Sequence, residues 1–311
     1  MIVLLRREWP LRSSGADPLV CSQPPGRHLA PVRKGRRGRR PRTGGSAPPA
    51  FLSVFFSSSV ARCGTCLLLT AFLAYAQDTR KVSEPKIPSS CTVLLANLTA
   101  QNSTLAEADE NKADTTRIQE AMDHCPPGQA VELKANDDRN AFLTGPLQLR
   151  RGVTLLVNRG AILFGSRNPR DYDLEPGLCG TITERGHGCK AILNGDHVAD
   201  AAVMGEGIID GRGGAKIMGQ NITWWDLAEK ARKGGIQNNP RIMILSHCDN
   251  FTLYWIQLKD SPNFHVSYGS GNGFTAWGVI VNAPKNARNT DAIDPWQFHQ
   301  RYHHALFHPH R

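Results

Sequence analysis

Phe251-Thr252-Leu253-Tyr254-Trp255-Ile256-Gln257-Leu258 and Phe274-Thr275-Ala276-Trp277-Gly278-Val279-Ile280-Val281 superimpose at an offset of 23 residues, and each is soon followed by a proline, Pro262 or Pro284. Such a period is too short for a propeller blade and lacks the Leu-x-x-Leu-x-Leu pattern of a leucine-rich repeat. It suits one coil of a parallel β-helix. Three short strands make a coil, with Gly and Asn at the bends. Alternate side chains, Leu253 and Trp255 in one run and Phe274 and Ala276 in the other, point in and out and stack like on like between coils. The rival architecture is a β-sandwich, whose strands at a spacing of about 8–12 residues look the same one by one. The repeat offset favours the β-helix.

β-rich runs split by Gly, Asn and Pro continue outward from this pair: Val131–Leu133, Val153–Val157, Ala161–Phe164, Ile208–Asp210, Ile242–Leu245 and Phe264–Tyr268. Two helices are predicted among them. Residues 111–124 read as a short amphipathic helix that opens near Asp114 or Thr115, closes before Pro126-Pro127-Gly128 and caps the N-terminal side of the coils; the second lies around Trp224–Arg232.

The formal charge of +10 over 311 residues raises nucleic acid as a partner until the charge is located. Residues 1–50 carry 11 Lys and Arg against 2 Asp and Glu, residues 51–76 add only Arg62, and residues 77–311 hold 25 of each sign. The first 50 residues also contain 8 Pro. That composition cannot bury enough apolar surface to offset its chain entropy, so a disordered tail is expected. No aromatic residues interleave the charges of its basic run at Arg33–Arg40, and nucleic acid is excluded as the expected partner.

Cys66 to Ala76 is an apolar stretch preceded by Arg62 and ending in Ala74-Tyr75-Ala76, the pattern of a secretory signal peptide, expected over residues 51–76 with a mature chain starting at Gln77. It is too short to span a membrane, which takes about 20 apolar residues. No Met lies between Met1 and Met122, so initiation from a non-ATG codon near Leu52, Val54 or Val60 is expected. The protein is expected to be secreted, with no membrane association after cleavage.

Export permits disulfides. Cys63 and Cys66 would leave with the signal peptide; of the five in residues 77–311, the expected pairs are Cys91 with Cys125 and Cys179 with Cys189, leaving Cys248 as a free buried thiol. No CxxC…CxxC or HExxH pattern points to a metal, and no cofactor is expected.

Chemistry concentrates in Asn286-Ala287-Arg288-Asn289-Thr290-Asp291-Ala292-Ile293-Asp294-Pro295, where two carboxylates three apart sit beside an asparagine. Two carboxylates can divide acid and base roles in glycoside hydrolysis. The plainer meaning is turn chemistry, since Asn-x-Asp and Asp-Pro both favour bends.

With Ile209-Asp210-Gly211-Arg212-Gly213-Gly214, Trp224-Trp225-Asp226-Leu227-Ala228, Asn263-Phe264-His265-Val266 and Gly273-Phe274-Thr275-Ala276-Trp277, residues 77–295 resemble the bacterial polygalacturonases, closest to the endo-acting ones. These are pectin-degrading glycoside hydrolases built on a right-handed parallel β-helix. The resemblance implies an all-β parallel β-helix, polygalacturonate or pectin as partner, a monomer, hydrolysis of α-1,4-galacturonosyl bonds with inversion, and support for both disulfides. It implies that Asp291 helps activate the hydrolytic water and that Asn289 serves the sugar site near the scissile bond. Asp294 is expected to be structural.

The family's Gly-Asp-Asp motif with the proton-donating acid, its Gly-His-Gly motif and its Arg-x-Lys pair do not follow Asp291 here. Gly186-His187-Gly188 imitates one of them, but it precedes Asp291 within the Cys179–Cys189 loop and reads as a decoy. Residues 296–311, with five His in sixteen, show no β pattern. Read one base later after back-translation, they admit the family's continuation up to Gly-Asp-Asp. A frameshift tail, an incomplete set of C-terminal coils and an inactive fragment are therefore expected. The alternatives are a pectate lyase-like β-helix enzyme, which would hold Ca²⁺ in an acidic cluster, and a non-catalytic carbohydrate-binding or structural β-helix.

Overall fold

A computed structural model describes residues 83–296. The expectations for the basic tail at 1–50, the signal peptide at 51–76 and the stretch beyond residue 296 lie outside the described residues. Strand β1 (Ser90–Leu95) opens the described chain, and helix α1 (Thr115–His124) follows. Coil by coil the strands then come in threes: β2 (Ala130–Lys134), β3 (Ala141–Thr144) and β4 (Leu147–Gln148) make the first. The second coil has β5 (Thr154–Val157) and β6 (Ile162–Gly165), then an excursion carrying β7 (Ile182–Thr183), then β8 (Leu193–Asp196). The third has β9 (Ala202–Met204) and β10 (Ile208–Asp210), an excursion with helix α2 (Trp224–Ala231) and β11 (Ile236–Gln237), then β12 (Met243–Ser246). The fourth is β13 (Phe251–Tyr254), β14 (Gln257–Lys259) and β15 (Val266–Gly269); the fifth is β16 (Phe274–Trp277), β17 (Ile280–Asn282) and β18 (Ile293–Trp296).

Apart from β7 and β11 of the excursions, each strand pairs in parallel with its counterpart one coil away, so the chain builds three parallel sheets, β1-β2-β5-β9-β13-β16, β3-β6-β10-β14-β17 and β4-β8-β12-β15-β18. This is a parallel β-helix. Register fixes one inward column per sheet. In the first, Val131, Leu155, Val203, Leu253 and Ala276 are successive partners. In the second they are Phe142, Leu163, Ile209, Leu258 and Val281. In the third they are Leu147, Leu193, Met243, Val266 and Ile293. All fifteen belong to or pack against one hydrophobic cluster. A fully buried Leu, Ile, Val, Met or Phe contributes about 1.5–3 kcal/mol over leaving it exposed, so the columns are the main stabilising feature of the solenoid.

The offset of 23 residues is the coil itself: Phe251 pairs with Phe274, Thr252 with Thr275, Leu253 with Ala276 and Tyr254 with Trp277, and the two Phe rings stack with centroids 6.0 Å apart. The eight-residue runs are not single strands, however. Each is two strands of different sheets joined at a bend where Trp255 (φ 55°) and Gly278 (φ 65°) take the left-handed conformation. A Cβ on Gly278 would lie 2.7 Å from the Trp255 ring, so glycine answers both the dihedral and the close approach. The expected strand at Phe264–Tyr268 likewise starts only at Val266, because Asn263, Phe264 and His265 belong to the preceding turn.

Helix α1 starts at Thr115 and buries Ile118 and Met122 in the main cluster. Helix α2 is closed by a reciprocal cap in which the Thr223 hydroxyl accepts from the Asp226 amide (3.0 Å) and the Asp226 carboxylate accepts from the Thr223 amide (2.9 Å). These bonds hold the Asp226 carboxyl below its ordinary pKa. Cys91 is bonded to Cys125 and Cys179 to Cys189, while Cys248 is a buried free thiol. Among the described residues no helix is long and apolar enough to cross a membrane.

Candidate active site

Arg241, Phe264 and Asp291 each stand two residues before the first paired residue of a third-sheet strand, Met243, Val266 and Ile293, which are themselves partners. The stacking of coils therefore brings together three residues distant in sequence. The Arg241 guanidinium lies over the Phe264 ring, 5.5 Å from its centroid. Asp291 follows at the same step of the next coil and is exposed.

His265 fixes the backbone beneath Asp291. Fully buried, its amide donates to the Asp291 carbonyl (2.9 Å), and its Nδ1 lies 3.1 Å from the Thr290 carbonyl and 3.2 Å from that of Asp291. Two carbonyl oxygens facing one ring nitrogen assign the proton to Nδ1. Burial pushes the imidazole pKa down, against the backbone carbonyls. A neutral native His265 and a protonatable unfolded one mean that the unfolded chain takes up more protons on acidification. Stability is therefore expected to fall as pH drops below the ordinary His value of about 6.5. Urea titrations at stepped pH, with His265→Gln for comparison, check this: the variant should lose that part of the slope, and an unchanged slope would remove His265 from the explanation.

Arg241 is a poorly compensated, half-buried cation. Arg212 and Arg167 are ion-paired with Glu110, Arg167 at 3.1 Å, whereas Arg241 has no ion pair within 4.0 Å among the described residues, and its buried Nε has no hydrogen-bond partner there. Burial lowers its pKa and the charge of Asp294 opposes that. Asp294, half-buried on β18, has its carboxyl pushed up by burial, down by Arg241 and up again by Asp291.

Before this column opens a cleft of about 120 Å³, lined among others by His187, Asn238, Asn239, Arg241, Phe264 and Asn289. Its wall is rich in amides that are held by the scaffold. Asn238 accepts from the Gly188 amide (2.7 Å), and Asn239 donates to the carbonyls of Trp224 (2.8 Å) and Pro262 (3.1 Å). The Asn239 Oδ1 remains buried without a partner among the described residues. Asn289, in the left-handed region (φ 54°), lines the cleft, and the exposed Asp291 follows two residues on in the chain. A cation, an aromatic face and fixed amides suit an anionic, polyhydroxylated ligand.

The sequence reading placed Asn289 and Asp291 together and set His187 aside. His187 nevertheless lines the same cleft, because the loop closed by Cys179 and Cys189 is folded over it by the antiparallel pairing of β7 with β11. Arg241, Asn238, Asn239 and His265 were not singled out. The signal for Arg241 was available, since it precedes Phe264 by the same 23 residues as the repeat.

The sequence profile of the glycosyl hydrolases family 28 matches residues 142–300. An endo-polygalacturonase of Pectobacterium carotovorum subsp. carotovorum is 42% identical over 223 residues, 71% of this chain and 52% of its own length. A polygalacturonase of Ralstonia solanacearum is 40% identical over 221 residues, 67% of this chain and 42% of its own. The solved polygalacturonase from Erwinia carotovora ssp. carotovora superimposes with a TM-score of 0.63 at 41% identity, covering 70% of this chain and 55% of that one. The chain thus spans about half the length of the relatives it matches.

Proposed function

The chain belongs to the glycosyl hydrolases family 28, and from that premise we propose that its cleft takes polygalacturonate, the de-esterified backbone of pectin, for hydrolysis of α-1,4-galacturonosyl bonds with inversion. The observation that carries this reading is the cleft lined by Arg241, Phe264 and Asn289, with Asp291 at the step of the next coil that corresponds to Arg241 and Phe264. Arg241 meets a substrate carboxylate, Phe264 offers an apolar face, Asn289 holds the sugar next to the scissile bond, and Asp291 takes a proton from the attacking water. In inversion the water enters from the face opposite the leaving oxygen, and the two carboxyl groups stand about 6.5–9.5 Å apart to admit it. Pectin is met outside the cell, so the proposed place of action is extracellular and the proposed acting form a monomer.

The acid that protonates the leaving oxygen lies, by resemblance, in a Gly-Asp-Asp motif that does not follow Asp291 in these 311 residues. A missing general acid costs about 10²–10⁴-fold. In an assay of these 311 residues, binding of oligogalacturonate is expected, with release of reducing ends slower by about that factor than by the same chain carrying such an acid. Calorimetric titration with oligogalacturonate and a reducing-end assay read the two halves of this expectation. Absence of binding contradicts the proposed ligand, and unsaturated, calcium-dependent products would show a lyase instead.

A further inference from the structure

We infer that Asp196, His197 and His247 form a site for a divalent transition-metal ion of the zinc type, clamping the second and third coils together on the outside of the third sheet. The three residues lie on the ends of β8 and β12, whose register pairs Asp196 with Ser246. Backbone pairing continues past the strands: the His197 amide donates to the Ser246 carbonyl (3.0 Å) and the His247 amide to the Gly269 carbonyl (2.9 Å). Both histidines turn out of their strands at left-handed bends, φ 52° and 51°, so their rings project from equivalent positions and stack with centroids 4.4 Å apart and planes within 4°.

Their Nδ1 atoms face the same oxygen. The Asp196 Oδ1 is 2.9 Å from the His197 Nδ1 and 4.0 Å from the His247 Nδ1. All three candidate donor atoms lie within 4.8 Å of one another. Three atoms so spaced lie within about 2.8 Å of a common centre and need close only slightly to reach the metal–ligand lengths of about 2.0–2.2 Å of zinc with imidazole and carboxylate. The rings must hinge apart to turn both lone pairs toward the ion. Their side chains, 71% and 49% exposed, are free to do so. The Ser246 hydroxyl, 2.9 Å from the His247 Nδ1, stands ready to bond a metal-bound water. Two imidazoles and one carboxylate select zinc, nickel or copper over calcium and magnesium, which take oxygen donors. The site rests on residues fifty apart in sequence and is independent of the proposed hydrolase reading.

Histidine footprinting with diethyl pyrocarbonate, mapped by peptide mass spectrometry on the full chain, tests the site with residue resolution. With zinc at ten times its Kd, about one tenth of the sites stay open, so labelling of His197 and His247 should slow about tenfold. His187, exposed and distant in the fold, should label at the same rate with and without zinc, as should all three residues when calcium replaces zinc. Asp196→Asn and His247→Ala change exposed side chains and leave the columns intact; both should abolish the protection of His197. Unchanged labelling of His197 and His247 in zinc, or protection that persists in both variants, overturns the inference.

Discussion

Replacing Asp291 by Asn should lower turnover on polygalacturonate by about 10²–10⁴-fold, the usual cost of losing a general base. The assay uses a chain extended in the family's pattern through its Gly-Asp-Asp motif, so that the acid is present. Asn keeps the shape of the side chain and tolerates the same turns as Asp, and the loop carbonyls of Thr290 and Asp291 still face His265. What disappears is the charge that accepts the proton from water. Affinity for oligogalacturonate should change little, because the loss falls on the transition state rather than on ground-state binding. Asp294→Asn is the control. Asp294 sits half-buried in β18, in register with Ser267 and within the field of Arg241, so its removal should be read mainly in melting temperature. If Asp294→Asn is the more damaging change at equal stability, the roles of the two carboxylates have been exchanged.

Arg241→Gln should weaken binding of oligogalacturonate by about 10- to 150-fold, the equivalent of about 1.5–3 kcal/mol for a hydrogen bond to a charged group. Its charge is partly buried, it lines the cleft, and among the described residues no carboxylate lies within ion-pair distance of it. A cation held that way gains more from a ligand carboxylate than from its own surroundings. Removing a poorly compensated buried charge should also leave stability unchanged or raised. Arg241→Lys keeps the charge without the planar fork and should fall between parent and Gln. Neutral galactose oligomers should bind all three proteins alike. A loss of binding that tracks a loss of melting temperature would mark Arg241 as a structural residue.

How much of this was legible beforehand depends on the distance over which each feature is encoded. The coil was visible in the 23-residue offset because consecutive coils repeat the same inward residues, and Phe251 over Phe274 is that repeat in space. The bends were not visible. Trp255 and Gly278 interrupt their runs through backbone dihedrals, which an apolar pattern does not record. The strand Leu193–Asp196 does not stand out in the sequence because it carries Asn, Gly and Asp. In the candidate site, Asn289 and Asp291 are contiguous and could be read from the motif. Arg241 and His265 join them only through stacking of successive coils, and His187 only through a disulfide-closed loop paired with β11. The cluster of Asp196, His197 and His247 escaped for the same reason.

Whether polygalacturonate sits in the cleft beside Arg241, Phe264 and Asn289 is read by nuclear magnetic resonance titration of the isotopically labelled chain with oligogalacturonate. The perturbed amides should centre on Asn238, Asn239, Arg241, Phe264, Asn289 and Asp291, with His197 and His247 on the outer end of the third sheet unmoved. Perturbations centred anywhere else on the solenoid, or none at ligand concentrations that saturate the parent in calorimetry, would contradict that placement.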